Sequence, residues 1–120
     1  MKKLLQASVL IVSSVIASQA ISAEMECYVD TQQFDNFTPS YCVSLVWGAQ
    51  YADAIYRVSG ANKAIDKVIW EGVASGKGCT GTSCTVSIRA FRPSTAKATV
   101  LYTDGTWESV SATAELENGL

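Results

Sequence analysis

The sequence predicts an all-β fold, an antiparallel two-sheet sandwich of about seven strands stapled by disulfides. Three observations carry this expectation. Runs of residues alternate between apolar and polar at period two, the mark of half-buried strands. Turn-forming residues recur at short intervals between those runs, as they do in sandwiches. Four cysteines follow an export-type leader, in a domain small enough to gain from covalent staples.

The leader comes first. Lys2 and Lys3 precede an apolar stretch from Leu4 to Ile16, and small residues follow at Ser18-Gln19-Ala20 and Ile21-Ser22-Ala23. This is the layout of a cleaved secretory signal peptide over residues 1–23, cut after Ala23, with Ala20 as the alternative. The stretch is too short to span a bilayer, which takes about 20 residues. No second apolar run follows, so no membrane insertion is expected after cleavage. Glu24-Met25-Glu26 ahead of Cys27 do not suit a lipid-anchor site. The mature protein is thus expected to be secreted or periplasmic, with a single β-sandwich domain over residues 24–120. Removing Lys2 and Lys3 leaves seven Lys and Arg against eleven Asp and Glu, a net charge of −4. Without a basic run, no nucleic acid partner is expected.

The strands follow in order. Glu26 to Asp30 reads as a short edge strand, and Val43-Ser-Leu-Val-Trp47 as a further strand. Tyr51 to Val58 reads as a strand, with a short helix ended by Gly60 as the alternative. Ile65 to Gly72 follows the turn Ser59-Gly-Ala-Asn62. Ile65, Val68, Ile69 and Trp70 make it apolar on both faces, as expected of a central strand. Cys84 to Phe91 alternates cleanly, with Cys84, Val86, Ile88 and Ala90 on one face, and Pro93 ends it.

The last two strands form a hairpin whose parity fixes its turn. Ala96, Ala98, Val100 and Tyr102 make one apolar row, and Val110, Ala112, Ala114 and Leu116 the other. A two-residue Asp-Gly loop would pair Val100 with Ser109 and set an apolar face against a polar one. A three-residue loop, Thr103-Asp104-Gly105, pairs Tyr102 with Thr106 and Ala98 with Val110. A one-residue slip flips every side chain, so the odd loop is expected, with Gly105 in the left-handed position of a bulge.

The mid-chain "VIW" strand and the terminal "ATVLYTDGTWESVSATAELE" hairpin resemble those of bacterial immunoglobulin-like or fibronectin type III-like domains. The resemblance spans residues 43 to 116 and is one of fold. Tyr51 to Val58 and Ala96 to Thr103, where immunoglobulin domains place their cysteines, contain none. The resemblance therefore carries over no functional residue.

Four cysteines allow three pairings, and sequence alone does not choose among them. Local pairing, Cys27 with Cys42 and Cys79 with Cys84, is preferred because Thr80-Gly-Thr-Ser83 lets the chain reverse. Crossed pairings would need the N-terminal segment to lie beside the 79–84 loop. Metal binding is not expected, since the chain has no histidine and the spacing does not suit zinc. Neither does "CTGTSC" have the spacing of a redox pair.

The missing histidine also excludes Ser-His-Asp and Cys-His catalysis. The acidic residues are scattered, and no phosphate-binding glycine motif occurs. The expectation is a non-enzymatic protein without cofactors, acting through its surface on a protein or carbohydrate ligand. The hairpin parity turns Leu101 and Trp107 away from the core row, among Lys97 and Thr99, which makes these four the candidate ligand-binding residues. The competing reading is that the loop Thr31 to Ser40, with Phe34 and Phe37, covers this patch, as a small core would favour. Trp47 and Trp70 sit in densely apolar strands and are expected in the core. A second functional reading is an inhibitor of a secreted hydrolase that presents the disulfide-closed loop over residues 76–83.

Overall fold

Alternation in sequence becomes alternation in burial. The computed structural model describes residues 23–31 and 36–120, and these form eight strands. They are β1 (Glu24–Val29), β2 (Thr38–Pro39), β3 (Tyr41–Leu45), β4 (Tyr51–Ser59), β5 (Ile65–Gly72), β6 (Ser83–Arg89), β7 (Ser94–Tyr102) and β8 (Trp107–Glu117). Two four-stranded sheets result, ordered β2-β1-β4-β6 and β3-β8-β7-β5. Residues 1–22, and with them nearly all of the expected signal peptide, lie outside the described residues, as does Phe34.

Each of the longer strands β1 and β4–β8 contributes one buried row. β6 buries Cys84, Val86 and Ile88, β7 buries Ala96, Ala98, Val100 and Tyr102, and β8 buries Val110, Ala112, Ala114 and Leu116. Fully burying a residue such as Leu116 or Val100 contributes about 1.5–3 kcal/mol relative to leaving it in water. Tyr56 spans the core from β4, and its hydroxyl donates to the carbonyl of Ser94 at the start of β7, 2.8 Å away. Burial pushes that phenol up to about 12.

The β7–β8 register is the one parity demands. Ala98 opposes Val110, Tyr102 N–H donates to Thr106, and Gly105 closes the turn on Tyr102 with φ of 89°. The segment 51–59 is a strand and not a helix.

Four expectations need correction. The sandwich is not purely antiparallel, because β3 runs parallel to β8. β1 is flanked on both sides, by β2 and β4, rather than lying at an edge. β5 is an edge strand and not a central one. A bulge between Ile65 and Lys67 inserts Asp66, so that Ile65 and Val68 both turn toward the core, while Ile69 faces out. The i, i+3 apolar spacing that suggested two buried faces therefore records a bulge. Finally, Trp47 is not in the core. β3 starts and ends two residues earlier than expected, and Trp47 falls in the following turn, 73 % exposed. It rests against Gly119, whose φ is 78° and where an added Cβ would fall 2.4 Å from the indole. Trp70 is buried as expected.

Both staples are the local ones. Cys27–Cys42 joins β1 of one sheet to β3 of the other, and Cys79–Cys84 closes the loop that leads into β6. At one flank the chain itself crosses between sheets, since β2 belongs to one and β3 to the other. Ser40, between them, takes a φ of 69° to make the crossing.

Candidate functional site

The outer face of the β3-β8-β7-β5 sheet brings together the residues that the hairpin parity singled out. Trp107 on β8 opposes Leu101 on β7, which in turn opposes Lys67 on β5. The next row is Ser109, Thr99 and Ile69, and the one after it Ser111, Lys97 and Glu71. Trp107 is 64 % exposed and Leu101 is half-buried. Ile69, also exposed, was missed in the sequence because its strand looked central. Its place diagonal to Leu101 extends the apolar strip, and Thr99, Lys97, Lys67 and Glu71 rim it with hydroxyls and charges.

Phe37, the described aromatic of the 31–40 loop, does not cover the patch. Phe37 packs edge-on against Tyr28 at 4.7 Å between ring centres, with the Arg57 guanidinium 3.7 Å from its own. Tyr28 and Arg57 belong to the other sheet, so Phe37 lies on the opposite side of the sandwich.

The backbone carrying Trp107 is fastened on both sides. Thr106 donates from its amide and its hydroxyl to Asp104, at 2.9 and 2.5 Å. Those two bonds, hydroxyl first, and then Lys63 hold the Asp104 carboxyl down at about 2. Lys63 also donates to Thr106 Oγ1 at 2.9 Å. On the other side, Glu108 accepts from the Tyr102 hydroxyl and from the Ala23 amide, the latter at 3.1 Å. Burial, and then the bond to Glu108, push the Tyr102 phenol up to about 12. An aromatic ring on so constrained a turn loses little freedom on binding.

The 76–83 loop is held at several points. Beyond the Cys79–Cys84 bond, Trp70 Nε1 donates to Gly81 O at 2.9 Å, and Val58 N–H donates to Thr82 O at 2.8 Å. Gly76 and Gly78 take φ of 73° and 78°, conformations a side chain would strain. Its exposed members are small or polar, with Lys77 the only charge.

A second apolar surface had no clear signal in the sequence. Tyr41, Val43 and Leu45 share the outer face with the Trp107 patch but lie at its far edge, on β3. With Trp47, Tyr51 and Asp30, Val43 and Leu45 border an open groove of about 820 Å³. Among the described residues, no three of His, Cys, Asp and Glu stand close enough to hold a metal ion.

Comparison of the chain with protein-family models and with curated proteins finds no match.

Proposed function

We propose that the protein is an exported, non-enzymatic binding module that docks a carbohydrate on the outer face centred on Trp107. The observation that carries this is an indole mostly open to solvent, set beside a fastened turn on a face where it opposes Leu101, with Thr99 and Ser109 in the next row and Lys97 and Glu71 in the row beyond. A flat aromatic offers its face to sugar C–H groups, and the surrounding hydroxyls and charges suit sugar hydroxyls. The two disulfides agree with an oxidising compartment, as export would provide. Among the described residues, no helix is long and apolar enough to cross a membrane.

The strand order supports an immunoglobulin-like arrangement. β1, β4 and β6 follow the order A, B, E of that fold, and β5, β7 and β8 the order C, F, G. The interacting surface would then be the one built by C, F and G.

The test is binding to a glycan array and to isolated cell walls, comparing wild type with Trp107→Ala. Binding by wild type that is lost in the variant supports the site. Equal binding by both, or by neither, removes it. A second reading, inhibition of a secreted hydrolase, rests on the pinned 76–83 loop. It predicts that Lys77→Ala weakens inhibition without altering stability.

A further inference from the structure

Each sheet has two edges, and three of these carry devices that stop edge-to-edge pairing. β2 is two residues long and ends in Pro39. β5 exposes Asp66, Lys67 and Glu71 and has a bulge near its start. β6 is bordered by Lys77, Arg89 and Arg92. β3, by contrast, has neither a charge nor a proline, and its pairing with β8 runs without a bulge. Its outward row of Tyr41, Val43 and Leu45 is 47, 48 and 55 % exposed.

Backbone parity shows which groups at this edge are open. Thr113 N–H donates to Ser40 O, and Val46 N–H donates to Glu117 O, so the even-numbered residues of this stretch bond β8. The N–H and C=O of Val43 and Leu45 therefore point the other way, where the sheet has no further strand among the described residues. Tyr41 O points that way too, but it already accepts from Thr38 Oγ1 at 2.7 Å.

We propose that β3 pairs antiparallel with β3 of a second copy of this chain, about a two-fold axis at Ser44, so that two sheets become one. The register follows from the open groups. Centred on Ser44, Val43 of each copy faces Leu45 of the other, and each such pair exchanges both of its hydrogen bonds. Centring on Val43 instead would need the engaged carbonyl of Tyr41. The outer face then sets Val43 beside Leu45 and brings Tyr41 toward Trp47, an apolar row matched to itself. Charge does not oppose this. Glu117 of one copy and Glu115 of the other would be three strands apart, about 14 Å, beyond the screening length of roughly 8–10 Å.

Sedimentation of the chain from Ile21 onward, with amide exchange read at Val43 and Leu45, tests the proposal. A concentration-dependent dimer is expected, with both amides growing more protected as it forms. Val43→Lys and Leu45→Lys each place a charge on the open edge without touching the core. Each should raise the dimer dissociation constant at least about tenfold, while Trp107→Ala leaves it unchanged. A chain monomeric at every concentration overturns the proposal, as does a dimer in which these amides exchange at the monomer's rate. Protection of both amides in a monomer that includes residues 1–22 also overturns it, by giving the edge to the chain itself.

Discussion

Trp70 and Gly81 are joined by a 2.9 Å hydrogen bond from indole to carbonyl, and that bond ties an edge strand of one sheet to the loop entering the edge strand of the other. Trp70→Phe keeps most of the buried ring and removes the donor. It should cost about 1 kcal/mol for the bond, read by urea unfolding. Exchange of the Val58 amide, which donates to Thr82 in the same loop, should quicken. An unchanged Val58 amide would show that the indole does not latch the loop.

The two disulfides should differ in what they contribute. Chain entropy gives about 2 kcal/mol for the short Cys79–Cys84 loop and about 3 kcal/mol for Cys27–Cys42. Cys27 is also completely buried between the sheets, so its pair replaced by alanine loses packing besides. Cys27→Ala/Cys42→Ala should therefore lower the midpoint of unfolding more than Cys79→Ala/Cys84→Ala. The reverse order would mean that the 79–84 loop, and not the inter-sheet bond, limits stability.

Stability should fall in alkali through Tyr56. Its phenol is held at about 12 in the folded chain by burial, above the ordinary value of 10.0. A raised folded value means that the stabilising contribution is complete below the unfolded value and is lost as pH rises through the folded one. Loss is thus expected between pH 10 and 12. Tyr56→Phe should flatten this slope, while costing about 1–2 kcal/mol at neutral pH because Ser94 O loses its donor. Unfolding monitored against pH for both chains checks this.

Gly72 ends β5 at φ of 69°, with the Thr95 carbonyl oxygen 2.4 Å from where a Cβ would stand. Backbone cannot move aside as a side-chain tip can. Gly72→Ala should cost about 1–3 kcal/mol, measured by thermal unfolding, whereas Gly76→Ala, with nothing nearby, pays only for its φ.

Ala23 is buried, and its amide donates to Glu108. Cleavage after Ala23 would remove that residue from the folded domain. Cleavage after Ala20, where Ser18 and Ala20 also give the small-x-small pattern, would retain it. Intact mass of the exported chain should therefore show Ile21 as the first residue. A mass beginning at Glu24 would contradict this.

What was legible in the sequence was whatever parity controls. The odd β7–β8 loop, the buried rows and the outward Trp107 all follow from a side-chain period of two, which tolerates no slip. Position within a sheet was less legible, because it depends on partners distant in sequence. Val43 and Leu45 read as ordinary strand apolars until β3 proved to run parallel beside β8 with its other side open. Ile69 read as core until the bulge at Asp66 showed which neighbours turned inward. Trp47 illustrates the same limit, since its contact with Gly119 lies far along the chain.

The crossing at Ser40, together with the Cys27–Cys42 bond, has a mechanical consequence. Ala23 lies beside Glu108 near the start of β8, and Leu120 follows the end of that strand, so the two lie at opposite poles, about 35 Å apart at ~3.4 Å per residue. Tension between them runs along the strands and loads the β3–β8 ladder in shear, where its hydrogen bonds resist together rather than in turn. A domain tethered at one pole and holding a ligand near the other would thus meet a pull in its stiffest direction.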